Sequence, residues 1–269
     1  MNAAVVRQAL RLSRKTLLVA GIGFGAFLFL SILGSSLFLE EITGGAGNAE
    51  FFAEPPRAVE ALSGASDFLS PIGWLSSAMN HPISLTLQTL AALTVAASIP
   101  TEIERGTLDL ILARPVSRAQ YIVSKIAAAA GAVALVQVAG LVAMLVARSM
   151  LDDLEVVSFS AVFRLFAASF CLFLAFSMLS FLISARSSLR ARALGLSVGL
   201  VVVSFFLNFL GLLFDEASFL RYLSPFHYFS PGDHLSGDAP WYYPVVLLAL
   251  AAAAGAGAYR LFSTRDLTR

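Results

Sequence analysis

The sequence predicts an all-α integral membrane protein with six transmembrane helices, and three observations carry the prediction. Hydrophobic residues make up 58% of the 269 residues and charged residues 13%, against roughly 45–50% and about 25% in soluble domains. Six apolar stretches approach the roughly 20 helical residues that cross a hydrocarbon core about 30 Å thick. The basic residues between them fall almost entirely on alternate connections, the asymmetry expected of a multi-spanning chain. Residues 1–269 are read as a single membrane domain.

The elements follow in order. Residues 1–15 place Arg7, Arg11 and Arg14 on one helical face beside Val6, Leu10 and Leu17, the pattern of a short amphipathic helix lying on the membrane surface. The spans are about 16–39, 82–99, 122–147, 162–183, 194–214 and 243–262. The first is longer than the apolar core of a cleavable signal, roughly 7–15 residues, and is expected to stay as an anchor. The connection from Glu40 to His81 is Gly-rich at its start, and after Pro55 and Pro56 it allows a short helix over Arg57 to Leu62. The connection before the sixth span is rich in aromatics and prolines, around Leu223-Ser-Pro-Phe-His-Tyr-Phe-Ser-Pro231. It suits an interfacial aromatic belt or a re-entrant segment.

Orientation comes from the charges. The N-terminus (Arg7, Arg11, Arg14, Lys15), the 2–3 loop (Arg105, Arg114, Arg118, Lys125), the 4–5 loop (Arg186, Arg190, Arg192) and the C-terminus (Arg260, Arg265, Arg269) hold 14 of the 18 basic residues. Of the 17 acids only Glu102, Glu104, Asp109 and Asp266 share that side. Both termini are therefore expected in the cytoplasm.

Several functions are disfavoured. The net charge of +1 and the absence of a basic run argue against nucleic acid. Cys171 lies alone in an apolar run and cannot form an intrachain disulfide, and His81, His227 and His234 show no metal-ligand spacing. Apart from Arg164 near a boundary, no ionisable side chain stands inside a span away from its ends, which disfavours an ion-coupled secondary transporter. Gln88, Gln137 and Asn208 remain as polar groups at depth, able to join helices or line a substrate path. Gly21/Gly25 and Gly195/Gly199 have the spacing of closely packed helices. Gly195-Leu-Ser-Val-Gly199 matches a nucleophile elbow by letter, but it opens an apolar helix, and the roughly 17 residues to Phe214 place His227 and His234 about 25 Å away. No catalytic residue is assigned. Neither Lys15 nor Lys125 follows a glycine, so the chain has no P-loop, and any ATP-driven motor must be another polypeptide.

The densest charge pattern runs from Thr101 to Lys125, between spans 2 and 3. Pro100 is expected to end the second span. Thr101 and Glu104 have capping-box spacing, a short helix covers Leu108 to Leu112, Arg114-Pro115 breaks it, and Ser117 caps the helix that enters span 3. Such an element, tied rigidly to two spans, would pass a push on it into the membrane helices.

Glu104-Arg-Gly-Thr-Leu-Asp109 followed by Leu-Ile-Leu-Ala-Arg-Pro-Val-Ser-Arg118 resembles the signature of ABC type-2 exporter permeases, in particular the group containing the membrane subunit of the nitrous-oxide reductase maturation transporter. The motif covers about a tenth of the chain. Six spans, a basic N-terminal helix and the Leu-Ser-Pro-Phe-His-Tyr-Phe segment extend the likeness. The resemblance implies a non-catalytic permease in the inner (plasma) membrane of a prokaryote, paired as a homodimer or with a related permease. Separate cytosolic ABC ATPase subunits would hold ATP and Mg, this chain binding no cofactor and no metal, and substrate would move outward by alternating access. It also implies that the 2–3 loop is a coupling helix. Glu102, Glu104, Arg105, Asp109, Arg114 and Arg118 would orient against the ATPase, Gly106 would permit close approach, Leu108, Leu110 and Ile111 would fill its groove, and Thr107 and Pro115 complete the motif. A six-span assembly factor without transport shares the same composition and topology.

Overall fold

The computed structural model describes residues 1–43, 55–64, 68, 70–113 and 115–264. Among them the chain is helical, with turns and no strand. The long helices are α1 (Ala3–Thr43), α4 (Pro82–Thr94), α7 (Arg118–Met150), α8 (Phe159–Arg186), α9 (Arg190–Leu213) and α11 (Tyr242–Thr264). Short helices α2 (Arg57–Ser63), α3 (Pro71–Asn80), α5 (Ser98–Glu104), α6 (Thr107–Leu112) and α10 (Pro231–Ser236) fill the connections. Five helices are long and apolar enough to span a membrane, and a sixth span results if α4 and α5, bent by 49° at a short break, count as one.

The expected separate amphipathic helix at residues 1–15 is corrected. Residues 3–43 form one continuous helix, because neither glycine nor proline interrupts the residues between Ser13 and Leu17. Its buried stripe is Val5, Ala9, Ser13 and Leu17, four apart, with the arginines exposed. The main seams run α1 against α7 and α8 against α11. On the first, a Cβ at Gly25 would stand 3.1 Å from the Ala139 carbonyl oxygen, and one at Gly140 would run into the Phe24 ring, 2.9 Å from its Cδ1. Glycine at both positions lets the backbones close up. Gly21 faces Ala139 on the same seam, whereas Gly195 and Gly199 face open space.

Helix α8 is the centre of the bundle: 67% of its apolar stretch is buried, against 22% for α9, which lies at the periphery. Cys171 is buried on α8 as a small hydrophobe. Within the bundle, Gln137 Nε2 donates to Gln88 Oε1 at 2.9 Å and Ser169 Oγ donates to the same oxygen at 2.7 Å. These bonds join α4, α7 and α8. Asn208 is half-buried on α9.

One end of the bundle carries the start of α1, the end of α11 and the α5–α6 connection. The Asn2 backbone N–H donates to Ser124 Oγ at 2.7 Å, and the Tyr121 and Phe262 rings stack 5.3 Å apart. At the opposite end the expected helix after Pro56 is present as α2, and α3, unforeseen, buries Trp74, Leu75, Ala78 and Met79. The Gly-rich start of that connection lies outside the described residues. The segment before α11 folds as two 3-10 stretches (Asp215–Leu223 and Pro225–Tyr228) and α10. Phe226, Phe229, His234 and Leu235 turn inward there. Burial pushes the His227 and His234 imidazoles below their ordinary range, and His234 Nδ1 donates to the Ser230 carbonyl at 2.8 Å.

Candidate functional site

The connection from Thr101 to Lys125 is a folded clamp. The chain leaves α4 at Thr94, turns over Val95–Ala97 and enters α5. Pro100 therefore does not end the span, as the sequence led one to expect. It sits in the first turn of α5, where its missing N–H has no intrahelical acceptor to lose. The expected Thr101–Glu104 capping box is likewise absent, because Thr101 lies inside α5 and its Oγ1 donates to the Ala97 carbonyl at 2.7 Å.

Glu102 points inward, 7% exposed. Its Oε1 lies 2.6 Å from Lys125 Nζ, and its Oε2 accepts the Tyr121 hydroxyl. Lys125 Nζ also donates to Ser98 Oγ at 2.8 Å. The carboxylate expected to face an ATPase is thus spent inside the chain, where a buried charge is tolerated only when paired and hydrogen-bonded. The sequence held a signal for this cluster: Ser98 and Glu102 are four apart on one helix, Tyr121 and Lys125 four apart on the next, so each pair shares a face.

Glu104 is exposed but engaged. Its Oε2 accepts the Arg190 backbone N–H at 3.1 Å, placing a carboxylate at the N-terminus of α9, where unpaired N–H groups and the helix dipole favour it. One turn of α5 thereby holds α7 through Glu102 and α9 through Glu104.

Gly106 adopts φ +67°, and a Cβ there would meet nothing within 4 Å. Its role within the chain is this left-handed link between α5 and α6, rather than room for a close neighbour. Thr107 Oγ1 donates to the Glu102 carbonyl at 3.2 Å. Leu108 is buried in the chain's own core and Ile111 packs against it, so neither is presented whole to a partner. Leu110, by contrast, is 70% exposed. Arg105, Asp109, Pro115 and Arg118 are exposed as well, and Arg114 lies outside the described residues. Ser117 caps α7 with a reciprocal Gln120 box, Gln120 N to Ser117 Oγ at 3.1 Å and Ser117 N to Gln120 Oε1 at 3.2 Å.

Ser197, the serine of the elbow-like motif, is buried in α9 with its Oγ 2.9 Å from Ser180 Oγ. Among the described residues no group of three His, Cys, Asp or Glu side chains is placed to hold a metal ion. Gln88 and Gln137 are likewise committed to bonds among the helices.

The geometry defines a multi-spanning helical membrane protein whose most charged connection is welded to two of its long helices. A family model for ABC-2 family transporter proteins matches residues 20–267, and the chain belongs to that family. It is thus a membrane subunit of the permease type. No curated protein matches the sequence.

Proposed function

We propose that the chain is the permease of an ATP-binding-cassette exporter, driven from outside by separate cytosolic ATPase subunits that hold ATP and Mg. The observation that carries this reading is the clamp: α5 is bound to α7 and α9, while the connected α6 presents Leu110 outward and Arg105 and Asp109 are exposed as well. A partner that seats Leu110 and closes on nucleotide moves α5–α6, and both helices must follow. Alternating access is the motion this supports. The charge asymmetry supports a cytoplasmic location for the clamp and both termini, in a prokaryotic plasma membrane. The open side of α9, with Gly195 and Gly199 facing nothing, supports pairing with a second permease. The motif from Glu104 to Arg118 supports a place beside the nitrous-oxide reductase maturation permeases.

The test is Leu110→Asp. Because the side chain is exposed, the variant is expected to fold and insert like wild type while losing co-purification with its cytosolic ABC ATPase subunit and losing stimulation of that ATPase. Undiminished capture by a well-folded Leu110→Asp variant would refute the docking assignment.

A further inference from the structure

At the end of the bundle away from the clamp, the stretch after α9 turns back along that helix. Ser224, fully buried, donates through its Oγ to the Ser204 carbonyl at 2.6 Å, about 15 Å of helix short of Phe214, the residue that follows α9. Arg221 lies between these levels. A Cβ at Gly211 would stand 2.7 Å from the Arg221 backbone nitrogen, and Gly211 is about 4.5 Å of helix from Phe214, so only glycine lets the returning chain come this close. The stretch therefore runs inward from Asp215 and Glu216 and carries Arg221 just inside the end of α9. Rings connect that level to the start of α11: Tyr222 lies 4.6 Å from His227, His227 5.4 Å from Tyr243, and Tyr243 5.2 Å from Tyr242. With the exposed Trp241 beside them, these rings mark the headgroup level of a bilayer, which tryptophan and tyrosine favour.

Arg221 brings a charge to this level without a counter-ion. None of the described acids forms an ion pair with it, and Asp215, at the head of the stretch, is paired with Arg57 at 3.2 Å. The Arg221 Nε is buried without an acceptor. Its Nη2 donates to the Tyr222 hydroxyl at 3.4 Å, and the guanidinium lies 5.1 Å from the Tyr222 ring centre. The Tyr222 hydroxyl accepts there, and its own proton has no acceptor among the described residues. Tyr228, by contrast, spends its hydroxyl on the Tyr222 carbonyl at 3.3 Å. A guanidinium and a phenol O–H side by side form the donor set that takes phosphate oxygens. Phe219, Tyr222 and Leu223 are exposed around it, so an anion that brings its own acyl chains fits better than a soluble one. A second copy of the chain is a poorer occupant, since a two-fold contact over this face would turn Arg221 toward its equivalent.

We infer that Arg221 and Tyr222 bind the phosphate of a phospholipid in the leaflet away from the clamp, preferring a lipid of net negative charge whose acyl chains run inward past Leu223. The site stands apart from the transporter reading, which draws nothing from this end of the bundle.

The test uses the full-length chain carrying Leu223→Cys, labelled there with a fluorophore, since Cys171 is buried. It is reconstituted in phosphatidylcholine nanodiscs in which doxyl-labelled phosphatidylglycerol or doxyl-labelled phosphatidylcholine replaces a rising share of the lipid, and quenching is read. Half-quenching is expected at about two- to fivefold less phosphatidylglycerol than phosphatidylcholine, the range of exposed ion pairs. Arg221→Gln should make the two lipids equal, and Arg221→Lys should keep most of the preference. Arg57→Gln removes the same positive charge from this end and should leave the preference unchanged. Equal quenching before any of these substitutions, a preference that survives Arg221→Gln, or one lost as fully in Arg221→Lys would overturn the inference. So would a label that neither lipid reaches, which would put a protein over the site. Inorganic phosphate at matched ionic strength separates the sources of the anion: if it removes the preference, the donors take a soluble ion and the lipid assignment fails.

Discussion

Lys125→Met gives the sharpest check on the clamp. The substitution keeps the length and apolar stem of the side chain and removes only the ammonium that lies 2.6 Å from Glu102 Oε1 and 2.8 Å from Ser98 Oγ. The carboxylate keeps Tyr121 as a donor but is left as an uncompensated charge, 7% exposed. Breaking such a pair from one side costs about 3–5 kcal/mol. Tyr121→Phe removes one hydrogen bond to a charged group and leaves the ion pair, so its cost is smaller, about 1.5–3 kcal/mol. The double variant Glu102→Gln/Lys125→Met removes both charges and should return most of the loss, since neutral replacement of a buried pair is often harmless. Thermal unfolding of the purified permease in detergent reads the series. At about 2–4 °C per kcal/mol, Lys125→Met should lower the midpoint by about 6–20 °C. The decisive result is the coupling: if the double variant loses the sum of the losses in Lys125→Met and in Glu102→Gln alone, Glu102 and Lys125 do not act as a pair and the clamp is misread.

Three further outcomes follow from the same geometry. Gly106→Ala forces a Cβ into a left-handed backbone and should cost about 1–2 kcal/mol; unfolding midpoints and ATPase stimulation should both fall, and an unchanged midpoint would mean that the link is not held in that conformation. Gln88→Leu and Gln137→Leu should each destabilise, with a double-mutant coupling of about 0.6 kcal/mol and at most about 1.7, the range for hydrogen bonds between membrane helices; zero coupling would show that the bond between the two amides is not made in the folded protein. The third concerns pH. Burial lowers the His234 pKa, partly countered by its bond to Ser230 and by Asp233 and assisted by Arg164. The unfolded chain therefore takes up its proton first, near pH 6.5. Stability from this site is complete above that pH and is lost as pH falls through it. Protection factors over Pro231–Ser236, corrected for the intrinsic pH dependence of amide exchange, should fall between pH 7.5 and pH 5.5 in wild type and fall less in His234→Gln, where an equal fall would exclude the histidine as the cause.

How much of this was legible in the sequence depends on the range of the interaction that decides each feature. The apolar stretches declare the long helices because burial in a membrane is a property of the stretch itself. Ser117 was readable as a cap because its partner, Gln120, is three residues away. Pro100 misled for the complementary reason. Proline forbids a helix interior but suits a first turn, and only the packing that broke the chain at Val95–Ala97 decided which applied. Glu102 and Glu104 were legible as acids in a charged connection, while their partners, Lys125 and Arg190, lie 23 and 86 residues away. Burial of one carboxylate and capping by the other are long-range facts that the charge pattern cannot carry.

That division has a mechanical consequence. A flexible charged loop could dock a partner but would dissipate its motion in the loop's own freedom. Here two of the charges that looked like docking groups, Glu102 and Glu104, are engaged within the chain, and what they fix is the angle between α5 and two long helices. The exposed remainder, chiefly Leu110 with Arg105 and Asp109, is small, and it is attached to α5 through the left-handed Gly106 link and the Thr107 bond to the Glu102 carbonyl. At Val95–Ala97 the axis bends by 49° between α4 and α5, so no straight helix runs from α6 into α4. Force applied at α6 therefore has its direct routes into α7, through Glu102 and Lys125, and into α9, through Glu104 and the Arg190 backbone.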